Sequence, residues 1–203
     1  VTEQKSRGSI GARRNPETER AVLDAAEAIL VEGGYPALSI EAVARRARAG
    51  KPTVYRWWPS RGRLLLAVYD RRKQDIAIPD TGSLDGDLLL FLKRLFAFWA
   101  TGPNGDLFRL IIAEAQSDPD VAAALADYVA QRRRMIAAIF DRALLRGDMD
   151  PQASSDIAAE LTVAAAWNRL LHRRLDPSDE ALVPLVRQIA GTGRPRPVRS
   201  LVV

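Results

Sequence analysis

The chain has no cysteine and a single histidine, His172. These two scarcities exclude much chemistry at the outset. Without cysteine there is no disulfide framework, no thiolate nucleophile and no thiolate metal site, a composition compatible with a reducing cytoplasm. No run of apolar residues approaches the roughly 18 needed to span a membrane, and the N-terminal stretch VTEQKSRGSIGARRNP lacks the apolar segment of a signal peptide. A cytoplasmic location is expected, with no membrane partner. Nucleotide-binding and hydrolase signatures are missing too: there is no G-x-S-x-G, Walker loop, G-x-G-x-x-G or H-E-x-x-H. Carboxylates are plentiful, but nothing in the sequence pairs them for acid–base work. The chain is expected to be no enzyme and to need neither cofactor nor metal.

What is present is unevenly distributed charge. Residues 1–75 hold 15 Lys and Arg against 9 Asp and Glu, whereas residues 76–203 hold 15 against 16. The basic surplus is therefore N-terminal. Between residues 39 and 63 lie Arg45, Arg46, Arg48, Lys51, Arg56, Arg61 and Arg63, with Glu41 the lone acid. Such a cluster reads either as a surface for an anionic partner, nucleic acid ahead of membrane, or as a solvated basic face.

Helix starts are marked by a recurring Asx-Pro pair: Asn15-Pro16, Asp118-Pro119, Asp150-Pro151 and Asp176-Pro177. In each, the Asx side chain can cap free backbone N–H groups, and proline in the first turn sacrifices a donor that the helix does not use. A first helix is predicted over 16–33, ended by Gly33 and Gly34. Ser39 then caps a short second helix with Ile40, Val43, Ala44 and Ala47 inward. Lys51 to Trp58 has room for a third, and PSRGRLLLAVYDRR restarts as a connecting helix. After the turn-rich AIPDTGSLDGD come LLLFLKRLFAFWA, apolar on nearly all sides and suited to the middle of a bundle, and helical runs at 104–117, 119–146, 151–174 and 177–190. No strand-like alternation, internal repeat or metal-ligand spacing interrupts them. The predicted class is all-α: an arm over 1–15, a helix-turn-helix unit over 16–60, a helical body over 61–192 and a loose tail over 193–203.

The stretch AGKPTVYRWWPSR carries the sharpest signal. At about 100° per residue, Val54 and Trp58 share one face of the third helix and Pro52 and Arg56 the opposite one, with Lys51, Thr53, Tyr55 and Trp57 on the flanks. A helix that enters a DNA groove needs this division, one face anchored and the other free. Trp58 is expected in the core. Trp57 reads either as a groove contact or as cover over the bundle.

Residues 20–70 resemble the N-terminal DNA-binding domain of the tetracycline-repressor (TetR) family of bacterial regulators. The resemblance rests on the helix-one ending GGY, on Ala44 and Ala47 as A-x-x-A, and on T-V-Y-x-x-W followed by a basic residue at Arg61. It implies that Lys51, Pro52, Thr53, Tyr55, Arg56 and Trp57 face DNA, with Tyr55 and Arg61 on phosphates and Trp58 closing the core. Ser39 matches a hydroxyl residue that caps helix two and touches phosphate. One departure stands out: the turn commonly has glycine where this chain has Arg48. Either the turn relaxes or Gly50 takes part of that role.

A single reading helix has too little contact to specify a site, so a homodimer on a palindromic double-stranded operator is expected. Its interface is predicted on the last long helix pair, through Leu161, Ala164, Ala165, Leu170 and Leu171. A small apolar or amphipathic ligand would bind among Phe96, Trp99, Phe108, Trp167 and Asn168, and would release a repressor from its operator. The alternative is a helical DNA-binding regulator with no small-molecule ligand. His172 reads as an interface or surface residue rather than a ligand contact.

Overall fold

The structure is a computed structural model that describes residues 15–73 and 76–192. The predicted arm, apart from Asn15, and the predicted tail lie outside the described residues. Those described are all-helical, with α1 (Pro16–Ala37), α2 (Ile40–Arg46), α3 (Lys51–Trp57), α4 (Arg61–Arg72), α5 (Leu84–Ala100), α6 (Asn104–Glu114), α7 (Pro119–Arg146), α8 (Ser155–Leu171) and α9 (Asp179–Thr192). The chain divides into two compact units, Val1–Val68 and Tyr69–Val203, and the division falls within α4.

In the first unit, Asn15 caps α1 through its side-chain oxygen, which accepts from Glu17 N–H. Val22, Leu23, Ala25, Ala26 and Ile29 recur at helical spacing and are buried. The helix breaks at Gly34, whose φ of 66° and ψ of −169° leave the helical region. The sequence places the end at the same glycines, but one further turn follows through Tyr35 to Ala37 before Leu38 N–H closes on Tyr35 O. Helix α2 packs on both α1 and α3, burying Val43 and Ala44 beside Val54, Trp58, Leu64, Leu65 and Val68 in this unit's core.

In the second unit, α5 is the most apolar helix and contacts α6, α7 and α9, while α7 pairs with α8 over much of its length. Ser83 caps α5, and Asp118 caps α7 by accepting from both Asp120 and Val121 N–H. The other two Asx-Pro pairs do not begin helices. Asp150 instead accepts from Gln152 N–H in a turn, and α8 starts four residues further on under a Ser154 cap. Asp176 likewise accepts from Ser178 N–H, and Ser178 then takes Ala181 N–H. The cause is common to both: an Asx turn satisfies its own local donors, and a serine shortly downstream offers a second cap.

Three helices end in the same way. After α7 the N–H groups of Gly147 and Asp148 reach back to Leu144 and Ala143, with Gly147 at φ 79°. After α8, Arg173 and Arg174 reach Leu170 and Arg169; after α2, Arg48 and Ala49 reach Arg45 and Ala44. Each is a Schellman motif, which requires a left-handed residue at its centre. Glycine fills that place once, whereas Arg48 (φ 52°) and Arg173 (φ 55°) fill it twice. Neither expected remedy operates at the α2–α3 turn. It keeps its left-handed residue, and Gly50 has an ordinary φ of −65°.

Candidate DNA-binding surface and regulatory cavity

The α2–α3 pair is built from its caps inward. Ser39 Oγ accepts from Ala42 N–H at 3.1 Å and fixes the start of α2. The Schellman turn at Arg48 then redirects the chain into α3, where Pro52 sits in the first turn. Val54 is fully buried and Trp58 is 3% exposed, and the two Trp rings meet edge to face at 5.7 Å. The anchored face is therefore the one the spacing predicts. Lys51, Pro52, Tyr55 and Arg56 are exposed on the outside of α3, while Thr53 and Trp57 are half-buried between the faces.

Some predicted side chains are already engaged. The Tyr55 hydroxyl donates to Glu41 Oε1 at 2.6 Å. This bond holds the Glu41 carboxyl below, and the Tyr55 phenol above, their usual ranges. The guanidinium of Arg61 lies 4.1 Å from the centre of the Tyr35 ring, a cation–π contact. Arg46 forms a two-pronged ion pair with Glu32, clipping α2 to α1. That pair spans 14 residues, beyond the reach of helical spacing.

Two family descriptions match the chain. "Bacterial regulatory proteins, tetR family" covers residues 22–68, and "Tetracyclin repressor-like, C-terminal domain" covers residues 78–189. The chain belongs to the TetR family. Among similar proteins, the HTH-type transcriptional regulator Mb1581 of Mycobacterium bovis is 31% identical over 79% of this chain and 80% of its own. The DNA-binding transcriptional repressor TetR of Mycobacteroides abscessus is 27% identical over 84% and 90%. The crystal structure of the TetR family transcription regulator SCO0332 superposes with a TM-score of 0.73 at 30% identity, covering 88% of this chain and all of that one. This TetR-family chain is thus a DNA-binding transcriptional regulator. Among its described residues, no helix is long and apolar enough to cross a membrane.

The C-terminal unit of this regulator encloses an aromatic cluster. Tyr69 stacks on Phe108 at 4.5 Å and accepts a hydrogen bond from Trp99 Nε1 at 2.8 Å, while Trp167 meets Phe108 edge-on at 5.5 Å. A cavity of about 30 Å³ opens beside them, bordered by Trp99, Phe108 and Trp167. Phe96 is fully buried and stacks on Trp99 without bordering the cavity. Asn168 does not line it either: it is exposed on α8 and accepts from Arg174 at 3.4 Å. The cavity also has polar members that spacing did not reveal, Lys73, Tyr128 and Arg132.

On α8 the predicted interface residues separate by helical phase. Leu161 and Leu171 are 45% and 48% exposed, and Ile157 is 59% exposed. Ala164 is exposed with them, and Ala165 is half-buried on the flank. Leu170 has no exposed surface and lies in the core of its own chain. Adjacent residues differ by about 100° around a helix, so Leu170 cannot share the outward face of Leu171. Ile157 belongs to that face and was not predicted.

Proposed function

We propose that this chain is a homodimeric repressor that reads a near-palindromic operator with α3 of each protomer and leaves it when a small molecule occupies the C-terminal cavity. The observation that carries the DNA reading is the division of α3, with Val54 and Trp58 sealed in the core and Lys51, Pro52, Tyr55 and Arg56 presented outward. Arg56 reads base edges, since a guanidinium can pair bidentately with guanine. Lys51, Tyr55 and Arg61 contact phosphates, and Ser39 holds the start of α2 against the backbone. Thr53 and Trp57 flank the groove. The repressor reading is supported by the likeness to the Mycobacteroides abscessus repressor.

Dimerisation uses the stripe of Ile157, Leu161, Ala164 and Leu171 on α8, flanked by Ala165. An apolar face of this kind gains by covering itself with a second copy. Ligand control follows from differential affinity: a molecule that fits the cavity in only one arrangement of the dimer shifts the population toward it. The small cavity favours a second reading, a regulator without a small-molecule ligand, because ligand pockets usually hold at least about 300 Å³.

Incubating the protein with sheared DNA of its source and sequencing the bound fragments near physiological salt tests the main reading. Enrichment of a near-palindrome supports it. Recovery without sequence preference would leave only charge-driven binding.

A further inference from the structure

The cavity in the C-terminal unit carries an incomplete set of charges. Lys73 follows α4 and is only 9% exposed. Its ammonium lies 5.6 Å from the ring centre of Tyr128 and 5.9 Å from those of Tyr69 and Trp99. Aromatic faces attract a cation, yet among the described residues no hydrogen-bond acceptor reaches Nζ. The charged groups nearby are Arg132 on α7 and Asp70 on α4, and these two pair with each other. Burial, reinforced by Arg132 and opposed by Asp70, pulls the Lys73 pKa from 10.5 to about 7. The hydroxyls of Tyr69 and Tyr128 are both pushed up by burial and stay protonated.

Two more donors point the same way. Tyr128 Oη and Arg132 Nε are buried, and although the Tyr128 hydroxyl interacts with both Arg132 and Tyr69, neither atom makes a hydrogen bond of good geometry among the described residues. Buried polar groups in folded proteins are normally satisfied. Here an ammonium, a phenol and a guanidinium N–H border one cavity, and among the described residues the carboxylate that acts on Lys73, Asp70, is committed to Arg132. Among the described residues, Lys73 has no carboxylate of its own. A second void of about 20 Å³ shares Lys73, Phe91, Arg132 and Ile136 with the first as its wall.

We propose that this cavity binds an amphipathic small molecule with a single carboxylate-type anion, its head group held by Lys73, Tyr128 and Arg132 and its apolar body among Phe91, Leu95, Trp99 and Trp167. This inference rests on the ligand-release reading above. A neutral ligand leaves the Lys73 ammonium uncompensated, and a cationic one adds a third positive charge. An anion restores the balance and holds the Lys73 proton in place, so binding above neutral pH takes up protons.

The test uses 6-phenylhexanoate, 6-phenylhexan-1-ol and 6-phenylhexylamine, followed by tryptophan fluorescence and by calorimetry at pH 8 in buffers of different ionisation enthalpy. The expected result is binding of the acid at least about tenfold tighter than the alcohol, with net proton uptake, and no binding of the amine. Lys73→Met should erase the preference for the acid while retaining alcohol binding, and Tyr128→Phe, which keeps the ring, should weaken the acid selectively. Equal or tighter binding of the alcohol, preference for the amine, an acid preference that survives Lys73→Met, or no binding of any probe at millimolar concentration would each overturn the inference. Operator release recorded in the same titrations separates the two proposals. Alcohol binding that frees DNA removes the charge requirement but keeps ligand control, whereas selective acid binding that leaves DNA bound does the reverse.

Discussion

The hydroxyl of Tyr55 on α3 donates its hydrogen bond to Glu41 on α2, at 2.6 Å. A hydroxyl has one proton to donate, so a phosphate oxygen at Tyr55 competes with this carboxylate for it. Glu41 also places negative charge on the face proposed to approach DNA. Glu41→Ala is expected to tighten DNA binding a few-fold, and Tyr55→Phe to weaken it. Fluorescence anisotropy on one operator duplex at fixed salt measures both. If Glu41→Ala weakens binding, then the hydrogen bond chiefly holds α3 in its reading position.

Arg48 and Arg173 occupy left-handed positions that glycine occupies at 147. A side chain in that region costs about 1 kcal/mol relative to glycine, because Cβ crowds the following carbonyl. Arg48→Gly and Arg173→Gly are each expected to stabilise the fold by up to about 1 kcal/mol, less the greater freedom that glycine gives the unfolded chain. Urea denaturation measures this, and a loss of stability in either variant would show that its arginine side chain contributes contacts worth more than the strain.

Much of the DNA-binding unit was legible in the sequence because its signals are local. The Asn15 and Ser39 caps, the glycine break and the phase of Val54 against Arg56 each lie within a turn or two of chain. The less legible features depend on partners distant in sequence. Arg46 is clipped by Glu32, and Lys73 is buried by Trp99 and Tyr128, residues that no spacing rule connects to it. The misplaced starts at Asp150 and Asp176 had a local cause, since each Asx turn resembles a cap until the next serine is weighed. Leu170 and Leu171 cannot both face outward, because adjacent helical residues differ by about 100°, and only Leu171 does so.

Arg56 and Lys51 share the exposed face of α3 but should fail differently. Arg56→Ala is expected to cost about 1–3 kcal/mol of binding and to relax preference at one position of each half-site. Lys51→Ala should weaken all sequences alike and lower the salt slope by about one. Binding measured against single-base operator variants at several salt concentrations distinguishes the two, and unchanged preference in Arg56→Ala would assign base reading elsewhere on α3.

Leu161 and Leu170 provide a paired test of the proposed dimer. Leu161→Glu puts charge into the outward stripe of α8 and should yield a folded monomer by light scattering, with operator affinity much reduced. Leu170→Ala removes fully buried apolar volume and should cost about 2–5 kcal/mol of stability without changing the oligomeric state of the folded fraction. A Leu161→Glu protein that remains dimeric would move the interface off this face.

Lys73 gives the fold a pH dependence of defined sign. Its pKa is about 7 in the folded chain against an ordinary 10.5. Between those values the unfolded chain holds the proton and the folded chain does not, so stability contributed through this group rises with pH, by up to about 1.4 kcal/mol per unit. Below about pH 7 both states hold the proton and the destabilisation is complete, on the order of a few kcal/mol. Lys73→Met keeps an unbranched chain of similar length and removes the charge. Its melting temperature should exceed that of the parent most at pH 6 and by progressively less toward pH 9, below the range in which phenols titrate. Taking the difference between the two proteins cancels groups that titrate alike in both. A difference that stayed constant with pH would mean that the Lys73 ammonium reaches solvent or an acid partner in solution, and the case for an anionic ligand beside it would then fall.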